Sequence, residues 1–336
     1  MLEPDTGREK HREEIYIGVF QFLFLLSNIV VELLEIKMSL LHLNPPRLLF
    51  IQGIHYISMI IAGIFSFFLH KIACFNTYEG FQNLDPLSAT TLTLLDICCD
   101  ASILISKIMV PSYKVEAIAG LQVILQLVFS AIFFSRKYSI YIFIASGFQV
   151  SGYVISCLNV VGNPSEPLIH QSHSFLGEYS ALIGIFFMGL AIILRTTSYT
   201  MTEALSSSVK LTAGSFCRGN GVWGLLICCV YNYFVVKSGS ESLSIPISFS
   251  KFLLYVLVFM FFSAIQHYSA FWLVLKTKAV EFSHVWLLSE LFMIGIRYTI
   301  FREDGAPYGF APIPMMSVYF TIAGLIFFSF SSPQEL

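Results

Sequence analysis

The sequence places two carboxylates four residues apart, at Asp96 and Asp100, within an apolar stretch. Because residues i and i+4 share one face of an α-helix, both acids would project in the same direction. Such a pair can hold a divalent cation in membrane phosphotransferases, but the D-G-x-x-A-R element that those enzymes need upstream is absent. We therefore expect Asp96 to have a cationic partner on another helix. Lys107 is a poor candidate, because it lies about 16 Å further along the same helix.

A second polar group occupies the next apolar run, where Glu116 is followed by Gln122 and Gln126. A charge at mid-bilayer costs about 2.5–3.5 kcal/mol on insertion scales, so charged residues kept there usually face a cavity or a partner. Glu116 is either a cavity acid, for a cationic or hydroxyl-rich solute or a coupling proton, or an interfacial acid that suits a helix N-terminus. The two glutamines either line the same path or hydrogen-bond across helices.

Polar residues also interrupt the apolar runs of the second half of the chain. Glu290 and Arg297 lie two turns apart, and they are either groups that reach a solute or members of structural ion pairs. Gln266 and His267 stand near the middle of another run, so at least one of them should face a cavity or a neighbouring helix. Arg218 opens a further run and could either bind a substrate phosphate or anchor the helix at the membrane interface.

The composition excludes a soluble protein. Of the 336 residues, 56% are hydrophobic and only 12% are charged, whereas soluble domains carry about 25% charged residues. The chain has no basic stripe for nucleic acid and no Cys/His spacing for zinc, so no nucleic-acid partner, metal, cofactor or enzymatic activity is expected. Ten runs have about the 20 residues that a spanning helix needs, and they predict an all-α integral membrane protein. These runs are 15–36, 47–70, 87–109, 114–135, 138–160, 175–196, 211–236, 250–274, 281–301 and 313–331.

A polar link divides the ten runs into five and five. If the two halves share a fold, an odd number of spans in each makes the second half inverted in the membrane, as in many secondary transporters. With both termini in the cytosol, ten lysine and arginine residues lie on that side and seven on the other, which favours this orientation. The predicted segments are an N-terminal tail 1–14, a first five-helix repeat 15–161, the link 162–174, a second repeat 175–331 and a tail 332–336.

The order of motifs in the first half resembles a known family. The Asp-bearing run LLDICCDASILISKIMVPS (94–112) is followed by Tyr113-x-x-Glu116, by a span that ends in FFSRK (133–137), and by FIASGFQVSGYVIS (143–156). This order is similar to spans three to five of the drug/metabolite transporter superfamily, in the branch of solute carrier family 35 that includes nucleotide-sugar-transporter-like proteins.

The resemblance extends into the second half. The stretch LGEYSALIGIFFMGLAIILRTTSYT (176–200) resembles the sixth span of the family, which starts on Gly-Asp or Gly-Glu. The stretch RGNGVWGLL (218–226) resembles the opening of the seventh span, with Asn220 where an acid is expected. The stretch KTKAVEFSHVWLLSELFMIGIRY (276–298) resembles the ninth span, with Glu290 close to a family Asp. The likeness covers about 15–331.

The resemblance implies a ten-helix, inverted-repeat carrier that moves a small organic solute by alternating access, without ATP. Gly120 matches a family glycine and would allow close helix packing, whereas Ala119 stands in place of a family arginine and Phe292 occupies a usually basic position. These departures leave open a non-transporting membrane scaffold or receptor, and Asp96 and Asp100 leave open an intramembrane lipid enzyme. The expected partners are a small-molecule solute and the lipid bilayer, in an endomembrane (Golgi, endoplasmic reticulum or vacuole/lysosome) or the plasma membrane. A homodimer is left open.

Overall fold

The computed structural model describes most of the chain as helices. Nearly all of the described residues are helical, and none of them lies in a β-strand, which confirms the all-α prediction for this part of the chain. The described ranges are 6–40, 49–72, 84–109, 118–162, 174–208, 211–237, 249–296 and 312–329. The helices are α1 (Thr6–Leu40), α2 (Phe50–Ile72), α3 (Pro86–Met109), a 3-10 turn (Ile118–Gly120), α4 (Leu121–Phe134), α5 (Ile140–Gly162), α6 (Ser174–Ser208), α7 (Ala213–Lys237), α8 (Phe249–Ile296) and α9 (Pro312–Ser329).

Five of these helices are long and apolar enough to cross a membrane, by length and composition. Four others carry shorter apolar stretches of 10–17 residues. By this measure the described residues fall short of the ten predicted spans, but they are consistent with a multi-pass membrane protein. The five stretches are Glu13–Met38, Pro86–Ser106, Leu182–Ser208, Ala213–Lys237 and Ser250–Glu290.

Helix α6 is longer than the sequence predicts. The predicted span ends at residue 196, whereas the helix continues to Ser208. The hydroxyls of the Ser/Thr-rich continuation are satisfied within the helix by carbonyls one turn earlier, as Thr197 is by Ile193 O at 2.8 Å. Arg195 consequently lies inside an apolar, membrane-length stretch and not at its end, which lowers the predicted cytosolic count of basic residues from ten to nine.

Helix α8 is interrupted at Lys278, where φ is 72° and the backbone leaves helical geometry. A left-handed φ at a residue other than glycine costs roughly 1–2 kcal/mol. The interruption divides the helix into two arms, 249–277 and 279–296. It falls between the predicted runs 250–274 and 281–301, so the sequence located this break correctly.

The helices form two compact units, and each unit draws on both halves of the sequence. The first unit comprises Met1–Leu94 and Thr202–Lys278, and the second comprises Leu95–Met201 and Ala279–Leu336. Each compact unit therefore combines segments from both sides of the predicted boundary at 162–174.

In the first unit, α2 and α7 pack closely along each other in opposite directions. At one end Leu49 N donates to Asn232 Oδ1 at 2.9 Å, and at the other Arg218 Nη1 donates to Gly63 O at 3.1 Å. A Cβ added at Gly221 would lie 2.9 Å from Tyr56 O, so glycine is required for this approach. The glycine-rich segment of α7 therefore packs closely against α2.

Helices α1 and α2 also flank the first arm of α8. Phe20 stacks on Trp272, with ring centroids 4.0 Å apart, near one end of α1. Near the other end of α1, an apolar cluster joins the three helices. Its buried members are Val31, Met38, Ile51, Ile54 and Phe259.

In the second unit, α5 and α9 form the corresponding long helix pair. Phe148 stacks on Phe327 with ring centroids 5.2 Å apart. A Cβ added at Gly324 would lie 2.9 Å from Ala145 O and 2.8 Å from Gln149 Cγ, so the two helices approach closely here as well.

Candidate functional site

Helix α6 carries polar side chains on successive faces, and three other segments of the second unit pack against those faces. In an α-helix each residue is rotated by about 100° from the previous one. Arg195 and Tyr199 therefore share one face, Thr196 and Thr200 share the adjacent face, and Ser198 lies on the opposite flank. We call this set of five residues the polar face of α6.

The Ser198 flank meets the two carboxylates of α3. Ser198 Oγ donates a hydrogen bond to Asp96 Oδ1 at 3.0 Å, and Arg195 Nη2 lies 3.6 Å from Asp100 Oδ1. About three turns further along α3, Ser106 Oγ donates to Gly184 O at 2.8 Å, so α3 and α6 run in opposite directions. The sequence predicted a cationic partner for Asp96 on another helix, and the structure places Arg195 within electrostatic reach of both acids.

The central face of α6 meets aromatic rings of the arm 279–296. The Arg195 guanidinium carbon lies 5.3 Å from the centroid of the Trp286 ring, within the distance of a cation–π interaction. Tyr199 contacts Phe282 edge-on, with centroids 4.9 Å apart. Glu290, which lies on the same arm and is 7% exposed, also interacts electrostatically with Arg195. This predicted site residue therefore belongs to the same cluster as the α3 carboxylates.

The remaining face of α6 meets the glutamines of α4. Gln126 Nε2 donates to Thr200 Oγ1 at 2.8 Å, and that hydroxyl donates in turn to Thr196 O. The bond confirms that Gln126 hydrogen-bonds across helices, one of the two interpretations of this residue. Gln122 lies one turn earlier on the same face of α4, and both glutamines are fully buried.

Several buried polar atoms of these helices have no hydrogen-bond partner within the part of the chain that the structure describes. They are both amide atoms of Gln122, Oε1 of Gln126 and Oγ1 of Thr196. A buried polar group without a partner costs about 1–3 kcal/mol, so such groups are unusual in a purely structural core. The atoms offer both donors and acceptors to a polar molecule that enters the second unit.

The site combines acidic groups with a basic one. Asp96, Asp100 and Glu290 supply carboxyl groups around the guanidinium of Arg195. Isolated charges are expensive inside a membrane and normally mark a pathway or a relay. The described residues include no group of three His, Cys, Asp or Glu side chains placed to hold a metal ion.

Other predicted site residues lie elsewhere. Gly120 is buried at the start of α4, but an added Cβ would come no nearer than 3.9 Å to Thr321 Oγ1. That distance is an ordinary van der Waals contact, and the close helix packing predicted at Gly120 stays a prediction. Arg218 belongs to the first unit, where it also lies 3.5 Å from Ser215 Oγ, and it ties α7 to α2 through Gly63 O. These contacts join two helices, and phosphate binding and anchoring at the membrane interface both stay predictions for this residue.

The polar residues predicted in the first arm of α8 also lie in the first unit. Gln266 Nε2 donates to Asn28 Oδ1 on α1, and His267 Nε2 lies 3.2 Å from His55 Nδ1 on α2. Both face helix neighbours, as the sequence required of at least one of them. The predicted site residues Tyr113, Glu116 and Arg297 lie outside the described residues.

Sequence reasoning missed Arg195, Ser198, Thr196 and Thr200 as site residues. The signal was present in the segment RTTSYT (195–200), which places an arginine and five hydroxyl groups directly after an apolar run. Because the predicted span ended at residue 196, Arg195 was assigned to the membrane surface, and the hydroxyl-bearing residues after it were not considered as site residues. In comparisons with known proteins, the sequence matches no family model and no curated protein.

Proposed function

We propose that the protein is a multi-pass secondary transporter of the drug/metabolite transporter type, which moves a small organic solute by alternating access. The observation that carries this proposal is the polar face of α6. It holds a guanidinium and hydroxyls in a membrane-length apolar helix, opposite carboxylates and buried amides. Groups of this kind are retained inside membranes mainly where they line a solute or ion pathway.

The directions of neighbouring helices support ten successive crossings. In a chain that crosses the membrane ten times, odd-numbered and even-numbered spans must run in opposite directions. Helices α2 and α7 correspond to the second and seventh predicted spans, and their contacts run antiparallel. Helices α3 and α6 correspond to the third and sixth spans, and their contacts are antiparallel as well.

The pairing of helices supports an inverted repeat. The pair α2 and α7 joins the second span to the seventh, and the pair α5 and α9 joins the fifth span to the tenth. In each pair, a helix packs against the helix that lies five spans later in the chain, which is its equivalent in the second repeat. Two repeats that are related by a pseudo-twofold axis in the membrane plane would bring such equivalent helices together.

The length of α8 supports two of the ten spans. Its apolar stretch Ser250–Glu290 has 41 residues, which is about 60 Å of helix, or twice the thickness of a bilayer core. The interruption at Lys278 falls within this stretch. We assign its two arms to the eighth and ninth spans.

The distribution of basic residues supports the orientation of the chain. Nine lysine and arginine residues lie on the predicted cytosolic side and seven on the other, so both termini are assigned to the cytosolic side of an endomembrane or the plasma membrane.

The chemistry of the site suits neutral or cationic solutes. Buried glutamine amides and threonine hydroxyls suit a hydroxyl-rich neutral solute, such as a nucleoside, and the carboxylates with Trp286 also suit an organic cation. The solute is accordingly neutral or cationic.

A thermal-shift screen of the purified protein tests the proposal. The compounds are nucleosides, organic cations, amino acids and nucleotide sugars, because a ligand stabilises the state that it binds. Gln126→Met removes an amide from the site, and Gln149→Met is the matched control. Gln149 is equally buried and has no hydrogen-bond partner for its amide among the described residues, but it lies at the contact with Gly324.

The expected result is a rise in melting temperature with one neutral or cationic class. The rise should vanish in Gln126→Met and persist in Gln149→Met. If no compound stabilises the parent protein, the scaffold or receptor function becomes the better account.

A further inference from the structure

Four polar side chains from three helices meet in the first unit, apart from the site on α6. His55 of α2 is at the centre of the group. Its Nε2 lies 2.9 Å from Glu35 Oε1 of α1, and its Nδ1 lies 2.7 Å from Ser263 Oγ of α8. His267 Nε2, one turn further along α8, lies 3.2 Å from the same Nδ1 atom. We call Glu35, His55 and His267 the histidine triad.

The triad lies on apolar stretches of three helices, beside an apolar core. Glu35 falls within Glu13–Met38, His55 within the apolar stretch Phe50–Ser66, and His267 within Ser250–Glu290. The ring of Phe259, which is fully buried, contacts the His55 ring edge-on at 4.8 Å. The Glu35 side chain is 37% exposed, whereas that of His55 is 16% exposed, so the carboxylate gives the buried ring a route to the surface of the unit.

The spacing of the two rings fixes how many protons they can share. A neutral imidazole has one N–H donor and one acceptor nitrogen. Two ring nitrogens 3.2 Å apart therefore form a hydrogen bond only with one proton between them. With both rings neutral, His55 Nε2–H donates to Glu35, and His55 Nδ1 accepts from His267 or Ser263. The triad then carries the single negative charge of Glu35.

One added proton neutralises the triad without breaking its contacts. His55 then has two N–H groups, of which one donates to Glu35 and the other to Ser263 Oγ or His267 Nε2. A further proton would place positive charge on both rings, whose centroids are only 5.2 Å apart, and like charges at that distance repel strongly. The triad is built to take up one proton and to exclude a second.

The charged groups around the triad favour the same stoichiometry. From α1, Glu32 approaches through Asn28, whose Nδ2 donates to Glu32 Oε1 at 3.1 Å, and Gln266 of α8 donates to Asn28 in turn. From α7, which packs along α2, the cation Arg218 is bound to Gly63 O, eight residues and about 12 Å along α2 from His55. Glu32 is thus linked through two hydrogen bonds to Gln266, the residue that precedes His267.

We propose that the histidine triad is the coupling-ion site of the protein, and that it binds one proton shared between His55 and His267. Proton binding by the triad does not require that the protein is a transporter. The use of this proton in transport rests on the proposed function. Because the triad joins α1, α2 and α8, its protonation changes the attraction between three helices. A proton bound there can therefore favour one arrangement of these helices over another.

The test is a pH titration of the purified full-length protein with ¹⁵N-labelled histidine. The imidazole nitrogen shifts of the eight histidines report both tautomer and charge, and His55→Gln and His267→Gln assign the two resonances by loss. No solute is present, so the outcome is independent of whether the protein transports anything. His284→Gln, which removes a buried histidine of the second unit, is the control.

The expected result is the uptake of one proton as the pH is lowered, with both ring signals changing together. Glu35→Gln should abolish this uptake over the same pH range, and His284→Gln should leave it unchanged. Separate uptake of one proton by each ring, no change in charge of either ring, or one proton that persists in Glu35→Gln would each overturn the proposal.

Discussion

The close contact of α2 and α7 predicts a measurable cost for a single added methyl group at Gly221. In Gly221→Ala the new Cβ would lie 2.8 Å from Ile60 Cγ1 and 2.9 Å from both Ile60 N and Tyr56 O. These separations are about 0.5 Å shorter than ordinary van der Waals contact. Two of the three neighbours are backbone atoms, which cannot rotate away, so the helices must move apart.

The expected magnitude combines two opposing effects. Overpacking of a well-packed interface costs typically about 1–3 kcal/mol. Alanine is favoured over glycine within a helix by about 0.8–1 kcal/mol, which offsets part of that cost. The net loss expected for Gly221→Ala is therefore about 1 kcal/mol. The matched control is Gly147→Ala on α5, where an added Cβ meets nothing within 4 Å, and a gain of up to about 1 kcal/mol is expected.

The assay is thermal unfolding of both variants and the parent in the same detergent, followed by tryptophan fluorescence. The melting temperature of Gly221→Ala should fall below that of the parent, and that of Gly147→Ala should equal or exceed it. If both glycine variants melt alike, the close approach of α2 and α7 is refuted, and with it a main support for the pairing of equivalent spans.

Two further predictions concern the second unit. The double-mutant cycle of Arg195→Met and Asp100→Asn should give a coupling free energy of about 1–2 kcal/mol in unfolding measurements. The value is moderate because the two side chains are 3.6 Å apart but only partly buried. Additive effects of the two substitutions would contradict the contact. Ser135 ends α4 with a left-handed φ of 53°, which glycine adopts at lower cost. Ser135→Gly should therefore raise the free energy of unfolding by up to about 1 kcal/mol and raise the melting temperature. The control is Ser139→Gly, which should give no gain because Ser139 has no left-handed φ.

The helices could be predicted from the sequence because apolar runs of membrane length leave few alternatives. Helix α7 spans 213–237 against a predicted 211–236, and α5 spans 140–162 against 138–160. The end of α6 could not be located in this way. The segment after residue 196 is polar, so its hydropathy falls, yet it remains helical. Its Ser/Thr hydroxyls are satisfied by carbonyls of the same helix.

The choice of partners was beyond the sequence, because local patterns do not state which helices pack together. The two compact units combine segments from both halves of the chain, which the boundary at 162–174 does not suggest. Asp96 and Gln126 were found because a carboxylate or amide in an apolar run is conspicuous. Glu35 and His55 were missed because each is isolated in sequence, and only folding brings them together.

The most direct measurement of the central claim is counterflow uptake in proteoliposomes, with the solute that stabilises the protein in the thermal-shift screen. The vesicles contain the parent protein, Gln126→Met or Gln149→Met. We expect the parent and Gln149→Met to accumulate labelled solute against unlabelled solute, and uptake by Gln126→Met to fall about tenfold, the effect of losing about 1.4 kcal/mol of binding. Absence of uptake in vesicles with the parent protein, or equal uptake by the two glutamine variants, would contradict solute transport along the polar face of α6.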